Sequence, residues 1–303
     1  MKNIAKQSEL LFLWDAKMCN PNGDMLNDNA PRYDDTDRKA IVSDVRIKRT
    51  IRDDLQRRKG ELIFVNNPEE VISAEQRFDQ LKEEFKDLSE KEVFLKCIDN
   101  RLFGGVAPKS HIQIIGAVQF AWSKSLNQTE VVFSQGTAAF GGEGKSTKSF
   151  RTDYYIPYGL FAAYAAINKL NAKGSGASEE DVQKMLDSLW MGTKLLNTRS
   201  KTGQKPRILI RVIYKEDQMI GLLDELVRLR NENSDQIRSF DECNLDLEPL
   251  KRAIEAMGDG VEEVQVWYDG TTQKAEEALE LLKDHKKVKM KKVEGAFEAF
   301  GAQ

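Results

Sequence analysis

The chain is predicted to be α+β, a ferredoxin-like sheet carrying insertions. Three observations support this. Strand-like and helix-like stretches follow one another as strand, helix, strand and then strand, helix, strand, with the apolar period switching between two and about 3.6. No low-complexity linker divides the 303 residues, so one decorated domain, 1–303, is expected. No internal repeat at solenoid periods is present.

Residues 10–14 form an apolar run that reads as a buried strand. Residues 20–39 read as a polar loop, in which Asn20-Pro21 and Asn22-Gly23 are turn signals. Ser43 is the expected N-cap of a helix running to about residue 59, with Gly60 as its stop. Ile47, Ile51 and Leu55 supply its apolar stripe; Lys48 and Arg52 flank that stripe, and Arg46 and Arg49 lie on another side. Residues 62–65 read as a short strand, 75–100 as a charged helical segment and 102–105 as a turn. Residues 111–122 give the cleanest strand pattern, with Ile112, Ile114, Val118, Phe120 and Trp122 on one face and Gly116 among them.

Residues 131–133 continue as strand before a glycine-rich basic segment, 136–151. Residues 154–156 read as extended. Residues 157–170, opened by Pro157 and apolar nearly all round, read as a buried helix. A loop is expected at 173–176. Ser178 and Asp181 then match a capping box ahead of the stripe Val182, Met185, Leu186 and Leu189. A basic turn at 199–205 leads into a strand at 207–214; 218–230, 247–257 and 271–284 read as helices, and 261–268 as a strand.

Composition narrows the function. The net charge of -3 argues against a purely electrostatic nucleic-acid binder. Basic residues nevertheless crowd 46–59, 145–151, 199–211 and 286–292, and a local basic groove can hold a phosphate backbone. The run 286–292 is read as a solvated patch. Three separated cysteines and two histidines, His111 and His285, leave no CxxC or HExxH pattern and little basis for a zinc site or a nucleophile–histidine apparatus. No apolar run is long enough for a membrane span and no secretory leader is visible, so a cytoplasmic protein without membrane contact is expected.

Two runs carry the strongest signal: Asn20-Pro21-Asn22-Gly23-Asp24 after the first strand, and Ser43-Asp44-Val45-Arg46-Ile47-Lys48-Arg49 opening the first helix. Arg46, Lys48, Arg49 and Arg52 offer cationic donors, and the helix start at Ser43 offers backbone N–H groups. Asn20 and Asn22 have the chemistry to bond a phosphate, a ribose hydroxyl or the turn itself. In the glycine-rich segment, Phe140 has a face for stacking on a base, and Lys145, Lys148 and Arg151 are candidates for the backbone. Arg199 and Lys201 stand in a further polar turn beside a strand.

These runs resemble the Cascade backbone subunits of CRISPR systems, the Cas-seven family of the RAMP superfamily. The resemblance rests on residues 11–17 with the Asn20–Asp24 run, on Ser43 to Arg52, on Asn100-Arg101-Leu102-Phe103-Gly104 and on Tyr155-Ile156-Pro157-Tyr158-Gly159-Leu160. It is nearest to the type I-B subgroup. Met25 stands where relatives often have proline, and the C-terminal third carries no matching motif. The resemblance implies an RRM-like palm, a finger insertion at about 63–105 and a thumb hairpin at about 134–152. It also implies a non-catalytic subunit without a cofactor, whose copies assemble head to tail along a CRISPR guide RNA. Target DNA would then be met through the guide, beside small, large and repeat-processing subunits and an effector nuclease-helicase. Sequence recognition would be delegated to base pairing.

Two rival readings are kept. Gly141-Gly142-Glu143-Gly144-Lys145-Ser146 nearly spells a phosphate-binding P-loop, but Ala139 replaces the first glycine and no helix pattern follows. Asp24, Asp34, Asp35 and Asp37 offer loop carboxylates of the kind that type III relatives use for metal-dependent RNA cleavage, although loop aspartates are more often turn formers. An RRM-like RNA binder unconnected with CRISPR is a further alternative.

Overall fold

In the computed structural model, residues 3–66, 72–141 and 148–300 are described. Ten main elements carry the argument: β1 (Ser8–Cys19), α1 (Asp44–Arg57), β2 (Val118–Phe120), β3 (Ser123–Ser125), β4 (Val132–Gly141), β5 (Lys148–Ile167), α2 (Glu179–Lys194), β6 (Gln204–Tyr214), β7 (Val261–Asp269) and β8 (Val288–Val293). β1 pairs antiparallel with β5 on one edge and with β6 on the other, while β2 and β3 join the far edge of β5. That order, with α1 and α2 on one face, is the ferredoxin-like arrangement expected from the sequence. β7 and then β8 extend the sheet beyond β6, and the strand Lys39–Val42 extends it beyond β3.

The alternation of β1 divides two cores. Leu10, Phe12, Trp14 and Ala16 meet Ile47, Ile51, Leu55, Val182, Met185 and Leu189 from the helices. Leu11 and Leu13 face the other way, onto Leu223, Phe240, Leu250, Ile254 and Leu279 from the C-terminal third. Both faces of the sheet are therefore dry. A third core, Phe64, Phe78, Phe94 and their neighbours, sits within the segment read as a finger, around the helices Ala74–Glu84 and Glu90–Lys96.

α1 follows its sequence signals closely. Ser43 is the N-cap, the stripe is buried, and Gly60 takes a left-handed φ of +68° just beyond the C-terminus. The Ser178–Asp181 capping box is formed as read. Other expectations are corrected. The helix read at 157–170 is not formed: residues 157–167 belong to β5, and a helix starts only at Lys169 (Lys169–Ser175), absorbing much of the loop read at 173–176. β5 is buried on both faces, so it lacks the alternation that marks a half-exposed strand. Pro157 lies between the pairs Cys19↔Ile156 and Lys17↔Tyr158, where Met18 at φ +49° interrupts the ladder.

Residues 218–230 are likewise not a helix. Gly221 and Leu222 have φ of +84° and +45°, followed by a 3-10 turn, Leu223–Leu226. The cause is distant in sequence. The buried Glu9 carboxylate accepts the N–H groups of Ile220 and Gly221 (2.8 Å each), the Tyr164 hydroxyl (2.6 Å) and the Tyr214 hydroxyl. The run 111–122 splits at Gly116, where a Cβ would lie 2.2 Å from the Gly104 nitrogen. Ile112 and Ile114 pack on the third core, Val118 and Phe120 on the main one, and Trp122 is 56% exposed. Residues 62–65 make no strand, because Phe64 and Val65 donate instead to the Asp99 carboxylate (2.8 and 3.1 Å). Residues 286–292, read as a solvated patch, lie largely in β8; Lys289 and Lys292 are exposed there, as suits an edge strand, and Lys286 is exposed just before it.

Glu9→Ala is expected to lower unfolding free energy by about 3 kcal/mol or more, since it leaves several buried donors without an acceptor. Glu9→Gln should cost clearly less. Urea titration followed by circular dichroism measures both.

Candidate nucleic-acid interface

Four elements meet at the C-terminal end of β1. β6 starts there, since Ala16 pairs with Gln204, so the turn at 199–203 stands beside the loop that follows β1. The Lys17 N–H donates to the Gly203 carbonyl (3.0 Å) and the Asn20 N–H to the Ser200 carbonyl (2.7 Å). α1 begins at the same end because Asn22 Oδ1 accepts both the N–H and the hydroxyl of Ser43 (2.8 and 2.9 Å). That bond occupies the cap hydroxyl, which makes no bond to the helix itself. The β4–β5 hairpin projects from the same end, and Asp153 at its base pairs with Arg151 (2.6 Å) and Arg199 (2.7 Å). These two cations hold the Asp153 carboxyl below its ordinary range, Arg151 foremost.

Within this junction Arg46 and Lys201 form no ion pair among the described residues, although the charge of Asp53 is felt at Arg46. The Arg46 Nη2 is buried without a hydrogen-bond partner. Burial pulls it below the usual arginine value. Lys201 Nζ donates to the Asn20 carbonyl (3.1 Å). Burial first, and the charge of Arg46 second, bring its pKa from 10.5 down to about 8. The Gln204 side-chain nitrogen and Asn20 Oδ1 are also buried without partners. Two partly desolvated cations with the unused Gln204 amide donor nearby form a site that an anion relieves, whereas Asn20 Oδ1 is an acceptor and needs a donor such as a hydroxyl.

The remaining candidates are arranged differently. Lys48 is nearly buried, donating to Asp44 (3.0 Å) and Gln119 (3.3 Å). Arg49 pairs with Asp53 (2.7 Å). Arg52 turns inward to the fully buried Asp99 (2.8 Å), above the Phe103 ring. The structure thus brings together Asn20, Asn22, Ser43, Arg46, Arg151, Arg199 and Lys201, and sets Lys48 and Arg52 to holding the fold. Lys145 lies outside the described residues, as do the side chains of Phe140 and Lys148. Gln204 carried no signal in the sequence; only its position beside the basic turn hinted at it.

Three of the four loop aspartates are engaged, and Asp35 is exposed. Asp24 pairs with Arg32 (3.3 Å), and Asp34 and Asp37 share Lys124 (2.7 and 2.9 Å). Among the described residues no cluster of three His, Cys, Asp or Glu is placed to hold a metal. Of the P-loop-like run, Gly141 ends β4 and strand resumes at Lys148, where a P-loop would need a helix. Among the described residues no helix is long and apolar enough to cross a membrane.

A family model described as CRISPR-associated protein Cas7 matches residues 6–248. A CRISPR-associated protein Cas7 from Haloferax volcanii is 32% identical over 300 residues, covering 87% of each chain. The chain belongs to the Cas7 family. Its fold is shared with a chain of a solved CRISPR RNA-guided surveillance complex in a pre-nicking state, with a TM-score of 0.56, 13% identity, and 86% of this chain and 92% of that one covered. A second such complex gives a TM-score of 0.53 at 15% identity, with 89% and 92% covered.

Arg52→Ala should destabilise by about 3 kcal/mol, because it strands a buried carboxylate. Arg46→Ala should be neutral or stabilising; thermal and urea unfolding separate the two. Lys201 carries a depressed pKa in the folded state, so the folded chain binds fewer protons there than the unfolded one between about pH 8 and 10.5. Its contribution to stability is therefore unfavourable below pH 8 and is relieved as pH rises through that window. Lys201→Met should remove this component, read as the wild-type minus variant difference across the pH range.

Proposed function

We propose that this Cas7-family chain is the guide-RNA-binding backbone subunit of a type I-B CRISPR surveillance complex, and that it holds the guide without cutting it. The observation that carries the reading is the uncompensated Arg46–Lys201 pair at the one end of the sheet where loop, helix, turn and hairpin converge. Such a pair suits a phosphate and says nothing about base identity. The β4–β5 hairpin is the proposed thumb and the segment with the third core the proposed finger. The likeness of the fold to chains of surveillance complexes supports placing copies along a guide. The partners are then the guide RNA, target DNA paired to it, further copies of this chain, and small, large, repeat-processing and nuclease-helicase subunits. The type I-B assignment rests on the Asn20–Asp24 and Ser43–Arg52 runs. The engaged loop aspartates favour a holding role over the ribonuclease role.

Co-expression with a repeat-spacer RNA should yield RNA-bound multimers whose mass rises with spacer length. An RNA-free monomer at low salt would sink the reading. Arg46→Ala should weaken binding about tenfold for every guide sequence alike and reduce the slope of log affinity against log salt by about 1. Affinity should also fall between pH 7 and 9 as Lys201 loses its proton, and Lys201→Gln should flatten that profile.

A further inference from the structure

A groove of about 670 Å³ lies beside this junction, between β1, β6, the end of α2 and the C-terminal third. Its floor is neutral. Arg207 is held by Asp15 (2.8 Å) and Asp269 (2.6 Å), and Lys205 by Asp269 (3.0 Å). Its rim carries the Lys17 and Lys194 ammonium groups together with the Asp241 carboxylate, which accepts from the Thr272 hydroxyl (2.5 Å). Lys17 is exposed and makes no side-chain hydrogen bond or ion pair among the described residues, although its charge is felt at Glu242. The Lys194 ammonium meets only the carbonyls of Glu294 (3.2 Å) and Gly295 (3.0 Å). Neither ammonium group forms an ion pair among the described residues.

The groove adjoins the Arg46 site through a shared wall residue, Gln204. Gln204 lines this groove and also a small internal cavity that Arg46 borders, and its side-chain nitrogen has no partner. The turn between the two is held flat against β1. Gly203 has φ +108°, and a Cβ there would lie 2.5 Å from the Lys17 carbonyl. A chain with regularly spaced negative charges could therefore pass from Arg46 and Lys201 over this low turn to Lys17 and Lys194. Met18, 60% exposed at φ +49°, lines the groove and offers an apolar surface. A volume of this size accommodates a small-molecule-sized unit, and a base has a face that packs on an apolar side chain.

We propose that the groove is a nucleotide subsite. It takes the unit of the bound RNA next to the phosphate at Arg46, with the following phosphate at Lys17 and Lys194 and the base against Met18. This rests on the RNA-binding reading. An acidic protein segment is disfavoured because the site is built of an apolar surface beside point charges and adjoins a second cation site.

The test uses RNA-loaded protein from co-expression with guides carrying 4-thiouridine, in wild type, Lys17→Glu and Arg46→Ala. Lys17 is exposed, so the variant should melt as wild type does. The proposal expects a photocrosslink within the peptide holding Lys17 and Met18. It also expects Lys17→Glu to weaken RNA binding at least tenfold with a salt slope reduced by about 1. If Arg46→Ala loses affinity while Lys17→Glu does not, the subsite is wrong and the RNA reading stands. If Lys17→Glu keeps RNA affinity but holds fewer copies per guide, the groove docks protein and the proposal is overturned. If neither substitution changes affinity, or the wild type carries no RNA, the wider reading fails together with the subsite.

Discussion

The structure depends on β1 being paired along both edges and buried on both faces. Such a strand cannot present a polar group along its length without supplying a partner inside the protein, and its interior polar side chains obey that rule. Glu9 gathers two phenols and two backbone N–H groups, and Asp15 is held by Arg207 and Tyr158. Burial still raises the Asp15 pKa despite Arg207 beside it. Polar groups free for a partner are thereby displaced to the strand's ends. At the C-terminal end, the register of β6 and β5 brings the 199–203 turn and the hairpin alongside, and the Asn22–Ser43 bonds bring α1.

Electrostatics then separates cations that a sequence shows as one run. Along α1, Lys48, Arg49 and Arg52 each have a carboxylate at 2.7–3.0 Å, whereas Arg46, one turn earlier, has none. Position explains the difference. Arg46 lies at the helix start, facing Lys201 across the junction, while Arg52 lies deep enough to reach Asp99 and so fasten the inserted helices to the palm. Two half-buried cations that repel one another destabilise the free protein, and the cores on both faces offset that cost. The same arrangement makes the site receptive to an anion whose charge is already delocalised over several oxygens.

Legibility followed the distance over which each cause acts. α1 and the Ser178 box were readable because cap, stripe and stop lie within a few residues of one another. β5 was misread because a strand dry on both faces shows neither helical nor strand periodicity, and Pro157 mimicked a helix start. The false helix at 218–230 had its cause at Glu9, more than 200 residues upstream. The site was half legible. Asn20, Asn22, Ser43 and Arg46 stood in two short runs, and Lys201 stood only in a basic turn. Asp44 neutralises Lys48 at the local i,i+4 spacing, but the neutralisation of Arg52 by Asp99 and of Arg199 by Asp153 spans more than 45 residues and is not encoded locally. Gln204 and Lys17 were invisible for the same reason: their importance lies in what they lack.

The C-terminal third has a clear mechanical consequence. In an open RRM-like sheet the face opposite the helices is free to stack bases. Here Leu223, Phe240, Leu250, Ile254 and Leu279 cover it, and β7 and β8 widen the sheet beneath them. The face is therefore closed to base stacking, which on the proposed reading leaves the strand ends and the hairpin for the RNA. Strand ends present isolated charges and backbone rather than a row of aromatic platforms. A surface of that kind can grip a polyanion at spaced points without choosing its bases. On the proposed reading, covering the face with the C-terminal third and leaving Arg46 without an ion pair at the strand end are two parts of one solution: the first removes base stacking on the sheet, and the second provides the hold on the backbone that must replace it.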